Sequence, residues 1–208
     1  MNPSINGNRM RQSGVVASIA AVFVCAQAAL MADPVGIGDM KEAYARIVDM
    51  AGRWEGLSYD GKPAQLEYSV VSGGSAVLER WHVLGSPADR DMITLYYPDG
   101  DSLLLTHFCI AKNQPRMRAV RYDSAAREVQ FNIVDATNLP DANIGHMDSG
   151  LIRFDDRDHI TTIWTFYENG RPEFTENLHF TRRTAVEVSS GGSRCSHAAA
   201  PAMKGEIR

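Results

Sequence analysis

The spacing of apolar residues changes near Ala51, and this change constrains the fold more than any other feature of the chain. Before Ala51, apolar residues recur at helical spacing. After it, apolar and polar residues alternate with a period of two, which is typical of strands with one buried face. Turn dipeptides typical of tight hairpins punctuate this second region. They are Asp60-Gly61, Gly73-Gly74, Asp99-Gly100 and Asn169-Gly170.

Ten segments with this alternation are predicted to be strands. They cover residues 53–59, 64–71, 76–84, 92–97, 102–110, 117–123, 128–134, 150–155, 159–167 and 173–182. A meander of so many strands leaves two exposed edges unless it closes, and exposed edges invite aggregation. We therefore predict an all-β domain, a single closed antiparallel β-barrel of about ten strands. A two-sheet sandwich is the alternative.

One amphipathic helix is predicted before the barrel. Asp39 is followed three residues later by Glu42, as in a capping box. The apolar residues that then share a helical face are Met40, Ala43, Tyr44, Ile47, Val48 and Ala51. We expect this face to cover the end or the outer wall of the barrel.

Residues 1–32 have the features of a secretory signal peptide. Arg9 and Arg11 precede an uncharged run from residue 15 to residue 31, and small residues close that run. An uncleaved membrane anchor is the alternative, but the run is short for about 30 Å of hydrocarbon and contains Gln27. We predict a periplasmic or secreted protein with no integral membrane segment after cleavage.

The remaining chain divides into a segment with the helix at 33–51, the barrel domain at 52–183 and a tail at 184–208. The tail is rich in Ser, Gly and Ala, and is predicted to be disordered. Cleavage of the predicted signal peptide would remove Cys25. The two remaining cysteines are Cys109 in a predicted strand and Cys195 in the tail. A disulfide between these two is not expected, because the tail would have to reach into the sheet.

The charge balance disfavours nucleic acid and anionic lipid as partners. Between residues 33 and 183 there are 23 acidic and 16 basic side chains, a net charge of −7 with histidine neutral. Both excluded partners require a positive surface. A small molecule is the expected partner, and the oligomeric state is left open.

Gly52, Trp54 and Gly56 on the first predicted strand, with Arg182 and Arg183 on the last, resemble the lipocalin-like (calycin) superfamily. The resemblance implies that Trp54 plugs the closed end of the barrel and that Arg182 stacks on it. Such a cation over an aromatic face contributes about 1 kcal/mol. Residues 106–109, 113–117 and 145–147 resemble exported bacterial lipocalin-like proteins of unknown function, which bring no established activity.

The wider Gly-x-Trp-x-Gly-x-Gly pattern is similar to that of nitrobindin-like ten-stranded haem barrels, with Ser58 in place of the last glycine. That resemblance implies haem bound by a histidine of the final strand. Asn177 stands at the ligand position here, and an amide does not replace imidazole as a proximal iron ligand. His179 lies two residues further on, so the cofactor is left open.

His107 and Cys109 are two residues apart on one predicted strand, so their side chains project to the same face. This spacing can supply two ligands to a metal such as zinc, with His146, His82 or His179 as the third. The same pair could be a thiol nucleophile with its base. The alternative to both is a buried, inert cysteine at a strand end.

The segment with Asn113, Gln114 and Arg116 lies between two predicted strands. It is either an ordinary turn or a polar clamp at the barrel mouth, facing a lid-like loop at 135–147 that carries His146.

Glu79 with Trp81, and Arg80 with His82, alternate along the third predicted strand, so one pair must point inward. An inward charge is costly without a partner. The alternatives for Glu79 are an ion pair with Arg118 or Arg121 and a polar anchor for a ligand.

The function that these patterns favour is an exported barrel that binds a small apolar or amphipathic ligand in its interior, without catalysis. The apolar side chains expected to line that interior are Leu103, Leu105, Phe131, Ile133, Ile163, Phe174 and Leu178. One alternative is a metal- or haem-dependent enzyme that uses His107, Cys109 and His146. The other is a purely structural envelope protein with a packed interior.

Overall fold

Ten antiparallel strands close into one barrel in the computed structural model, which describes residues 37–184, with side chains from residue 40 onwards. A helix, α1 (Ile37–Val48), precedes the strands. The strands are β1 (Gly52–Leu57), β2 (Pro63–Val71), β3 (Ala76–Val83), β4 (Met92–Asp99), β5 (Ser102–Phe108), β6 (Gln114–Asp123), β7 (Glu128–Thr137), β8 (His146–Phe154), β9 (His159–Glu168) and β10 (Arg171–Arg183). The predicted signal peptide, Cys25, Cys195 and nearly all of the predicted tail lie outside the described residues.

Each strand pairs with its neighbours in the sequence, and β1 pairs with β10 to close the barrel. The closing ladder runs from Arg53 opposite Arg183 to Gly56 opposite Phe180. The predicted closed barrel preceded by one helix is therefore confirmed, and the sandwich alternative is wrong. Closure pairs the two strands that would otherwise be edges.

Two strands begin three or more residues earlier than the alternation predicted. Strand β6 begins at Gln114 rather than at residue 117, and β8 begins at His146 rather than at residue 150. Polar residues extend these strands because a partner strand continues beside them, with Gln114 opposite Thr137 and His146 opposite Tyr167. The predicted lid-like loop at 135–147 is thereby shortened to residues 138–145.

Helix α1 packs against β4, β5 and β6 at one end of the barrel, here called the closed end. Ala43 and Ile47 on its inner face are fully buried. The Tyr44 hydroxyl donates to the Gly74 carbonyl oxygen at 2.9 Å, which ties the helix to the turn after β2. The helix begins two residues before the predicted capping residue Asp39.

Trp54 lies at the closed end, 1% exposed, beneath the Arg182 guanidinium, whose central carbon is 4.1 Å from the ring centre. The indole Nε1 donates to the Met50 carbonyl oxygen at 2.9 Å. Arg182 donates to the carbonyl oxygens of Asp49 and Ala51 at 2.8 and 2.9 Å. The pair thus joins the segment after the helix to the first strand and the last strand.

Large side chains fill the half of the barrel next to α1. The fully buried ones there include Tyr96, Leu103, Leu105, Met117, Phe131 and Ile152. The opposite end, here called the mouth, is formed by the turns that follow β1, β3, β5, β7 and β9. Any interior space is therefore restricted to the half nearer the mouth.

No helix within residues 37–184 has both the length and the apolar character that a bilayer span requires.

Candidate functional site

A small cavity lies inside the barrel, between the packed half and the mouth. The volume that the centre of a water molecule can occupy in it is about 40 Å³. Its apolar wall consists of Leu66, Trp81, Met92, Met147, Trp164 and Leu178. Its polar wall consists of Glu79, Thr94, His107, Thr162 and Glu176. One water needs roughly 10–15 Å³ measured in this way. The cavity therefore has room for a few waters or for a molecule of a few non-hydrogen atoms.

Glu79 is the buried carboxyl group of this cavity. It is 8% exposed and accepts hydrogen bonds from the Thr94 hydroxyl at 3.2 Å and the Tyr96 hydroxyl at 2.7 Å. Burial raises the pKa of Glu79, and the hydroxyl donors act in the opposite direction by stabilising the carboxylate. Glu79 and Trp81 are thus the inward pair of β3.

The expected ion pair between Glu79 and Arg118 or Arg121 is wrong. Both arginines are exposed on the outer face of β6, where Arg118 donates to the Ser102 hydroxyl at 3.0 Å and Arg121 pairs with Asp123 at 2.6 Å. The inward positions of β6 are instead occupied by Met117, Ala119 and Tyr122, which are buried. Hydroxyl groups of β4 replace a cation as the partners of Glu79.

His107 lies on β5, 8% exposed, with Nδ1 3.0 Å from the Thr94 hydroxyl oxygen. The Thr94 proton is donated to Glu79, so its oxygen can only accept from His107. With Glu79 ionised, Nδ1 therefore carries the imidazole proton and Nε2 is left as a bare acceptor. Nε2 is buried and has no hydrogen-bond partner among residues 40–184. Burial also lowers the pKa of His107 to about 4, so the ring is neutral near pH 7.

Tyr68 adds a further polar group beside Glu79, its neighbour across β2 and β3. Its hydroxyl is buried without a well-formed hydrogen bond to any described residue. Burial raises its pKa, and the nearby Glu79 carboxylate acts in the same direction. Sequence reasoning missed Tyr68, Thr94 and Tyr96. The alternation of Thr94 and Tyr96 around Leu95 would have marked them as inward polar positions.

Glu176 on β10 is a second carboxyl group of the cavity, which sequence reasoning also missed. It is half-buried, and burial raises its pKa. No lysine or arginine of the described chain lines the cavity with it. The site therefore contains two carboxyl groups and a neutral imidazole without a positive side chain.

The cavity has two approaches from the surface. Strand β1 pairs with β10 only up to Gly56 opposite Phe180, and beyond this point a groove of about 480 Å³ separates the two strands. Glu176 and Leu178 line both the groove and the cavity. At the mouth, a second pocket of about 230 Å³ shares Trp81 and Met92 with the cavity.

The mouth carries an exposed apolar rim. Large apolar side chains more than 40% exposed there are Leu57, Tyr59, Leu84, Phe108, Ile110, Ile144 and Phe174. Tyr59 and Phe174 stack at 6.2 Å between ring centres, and Phe174 stacks on Phe166 at 5.1 Å. Phe174, which was expected to line the interior, thus lies on the rim.

Cys109 lies just beyond the end of β5, half-buried, with a free thiol. Burial raises its pKa, and the nearby Glu176 carboxyl acts in the same direction, so the thiol is protonated at neutral pH. No group of three His, Cys, Asp or Glu side chains within the described part of the chain is arranged to hold a metal. His146, the proposed third ligand, is buried and pairs its Nδ1 with the Ile144 carbonyl oxygen at 2.7 Å.

Asn113 and Gln114 connect the turn after β5 to the loop at 138–145. The Asn113 side-chain amide donates to the Gly145 carbonyl oxygen at 2.8 Å. The Gln114 side-chain oxygen accepts a hydrogen bond from the Asn138 side-chain amide at 2.9 Å. Arg116 is exposed on the outer wall, where it forms an ion pair with Asp135. None of these three residues lines the cavity.

Asn177 and His179 are exposed on the outer face of β10, because the inward positions of this strand are Glu176, Leu178 and Phe180. The Nδ1 atom of His179 contacts the Thr161 hydroxyl at 2.9 Å. Ile163 lies opposite Asn177 across β9 and β10, on the outer face rather than in the expected lining. Of the eight predicted ligand-binding residues, the structure brings Glu79, Trp81 and His107 together at the cavity.

Comparison with known proteins assigns no family. No family model matches the chain, and no curated protein matches it. Among solved structures, the chain is similar to a protein of unknown function from the DUF3598 family of Nostoc punctiforme, with 11% identity and a TM-score of 0.44. The match covers 66% of this chain and 49% of that one, so the chain spans about half the length of that protein.

Proposed function

We propose that this protein binds a small amphipathic molecule inside its barrel. The observation that carries the proposal is the unpaired, buried Nε2 of His107 in a cavity whose opposite wall is apolar. A buried acceptor without a partner is costly, and a ligand donor would remove that cost. An apolar wall with a few convergent polar groups is the usual composition of a small-molecule site.

The size of the cavity restricts the ligand. Binding sites for drug-sized molecules usually measure about 300–1,000 Å³, far more than the 40 Å³ found here. Met92 and Met147 line the cavity, and unbranched methionine side chains adapt readily to an occupant. We therefore propose a ligand of a few non-hydrogen atoms rather than a haem or a long-chain lipid.

The wider setting of this function is also a proposal. The Trp54–Arg182 stack at the closed end supports a lipocalin-like ancestry, and the pattern of residues 1–32 supports binding outside the cytoplasm. We propose that binding does not involve catalysis.

Tryptophan fluorescence provides the test, because Trp81 and Trp164 line the cavity while Trp54 lies at the closed end. We expect n-butanol, n-pentanol and n-hexanol to produce a saturable change in emission. Thr162→Leu should abolish the change by filling the cavity, whereas Asn132→Leu on the exposed face of β7 should preserve it. An unsaturable response in the parent, or the same saturation in both variants, would contradict interior binding.

A further inference from the structure

We infer that the cavity recognises a small primary amine, bound as its ammonium ion. This inference rests on the proposed interior binding and adds the chemistry of the ligand's polar end. Three observations carry it: the hydrogen-bonding capacity of the cavity wall, its charge, and its aromatic surface.

The unsatisfied hydrogen-bonding groups of the polar wall are chiefly acceptors. His107 Nε2 is a bare acceptor, because the Thr94 hydroxyl donates to Glu79 and obliges Nδ1 to carry the ring proton. Glu79 has already received two hydroxyl protons, and its oxygens keep further lone pairs. The Glu176 carboxyl accepts no hydrogen bond from another described side chain. A ligand that fits this wall must donate, and an ammonium group carries three donors.

The charge of the wall points to the same group. Glu79 and Glu176 face the cavity, together with the neutral His107, and no cationic side chain of residues 40–184 lines it. The hydroxyls of Tyr68 and Tyr96 and the thiol of Cys109, which also lie close to Glu79 or Glu176, carry no positive charge. Lys62 and Arg90 line the mouth pocket but not the cavity. A buried carboxyl group is stabilised in its ionised form by a partner of opposite charge. An ammonium ion supplies that charge, whereas a carboxylate ligand would be repelled.

Two indole rings form part of the apolar wall of the cavity. Trp81 lines the cavity with its ring held edge-on against Phe180, 5.6 Å between ring centres. Trp164 lies over Gly150, where a Cβ atom would come within 2.1 Å of the ring. Aromatic faces attract ammonium ions and also pack against alkyl chains. Glu176 lies where the β1–β10 groove meets the cavity, so its carboxylate also faces the path of an entering cation.

The experiment compares three ligands with the same alkyl chain: n-butylamine, n-butanol and butyrate. Binding to the full-length parent is measured near pH 7 by isothermal titration calorimetry. We expect butylamine to bind about tenfold more tightly than butanol, as charged hydrogen bonds exceed neutral ones by roughly that factor. Butyrate should bind more weakly than either.

Glu176→Gln is the informative variant, and Glu173→Gln is its control, because Glu173 is an exposed carboxylate on the same strand. The first should reduce the preference for butylamine over butanol to about threefold or less. The second should leave the preference as in the parent. The parent comparison needs no variant, so a folding defect in Glu176→Gln cannot obscure the result.

The outcomes separate the two proposals. Equal binding of butylamine and butanol, or tightest binding of butyrate, overturns the amine inference and leaves interior binding in place. Saturable binding of none of the three ligands overturns both proposals. A preference for butylamine that survives unchanged in Glu176→Gln also overturns the inference, since the second carboxylate then has no part in recognition.

Discussion

Trp54 shows how one side chain can unite three elements. Its ring is 1% exposed, its Nε1 is bonded to the segment after α1, and Arg182 of β10 covers its face. We expect Trp54→Ala to lower the free energy of unfolding by about 3–5 kcal/mol, the range for deleting a large buried aromatic. Urea denaturation measures the loss. Trp54→Phe should cost less because it keeps aromatic area beneath Arg182, and equal losses in both variants would contradict this account.

His107 should make stability depend on pH. Its pKa is about 4 in the folded protein against 6.5 when exposed. Between these two pH values His107 is protonated in the unfolded chain but not in the folded protein. The free energy of unfolding therefore decreases as pH falls from about 6.5 to about 4. The full effect is at most about 3 kcal/mol.

Urea midpoints of the parent and His107→Gln, measured from pH 8 to pH 4, test this dependence. The difference between the two proteins should be constant above pH 7 and should shift in favour of the variant as pH falls. Parallel profiles down to pH 4 would show that His107 takes up its proton as readily in the folded protein as in the unfolded chain. Comparison of the two proteins removes the contributions of carboxyl groups common to both.

At the scale of elements, β8 and β9 depend on one close contact. Gly150 lies opposite Trp164, and the indole occupies the space that a Cβ would need. We expect Gly150→Ala to destabilise the protein by about 1–3 kcal/mol through overpacking, and to alter Trp164 emission. In a Trp164→Leu background the same substitution should cost less, because the obstructing ring is gone. An equal cost in both backgrounds, measured by urea denaturation, would exclude the contact as the cause.

At the scale of the whole molecule, the barrel has a packed half next to α1 and a cavity in the half nearer the mouth. Tyr96, Leu103 and Phe131 fill the packed half. The half nearer the mouth contains the polar groups of the cavity and the two approaches to it from the surface. None of these three packed side chains lines the cavity. This division resembles the general arrangement in which a scaffold positions a site near its loops.

The exported form of the molecule is predicted to begin between residues 29 and 33, because small residues follow the apolar run only there. N-terminal sequencing of the protein recovered from the periplasm or the medium measures this directly. Recovery of an intact Met1 on membrane-bound material would contradict cleavage.

Local patterns in the chain predicted antiparallel strands and favoured a closed barrel over a sandwich. A period of two, interrupted by Gly-containing turns, specifies antiparallel strands locally, and ten such strands close because open edges are unfavourable. The alternation of side chains along β3 also showed that the inward pair is either Glu79 with Trp81 or Arg80 with His82. Only the tertiary structure decided between them, and only it brought Tyr68, Thr94 and His107 to Glu79 from three other strands. The arrival of Glu176 from β10 required closure of the whole barrel. Alternation is a property of neighbours in the chain. The cavity wall is formed by residues as distant in the chain as Leu66 and Leu178, and no local pattern encodes their register and side-chain packing.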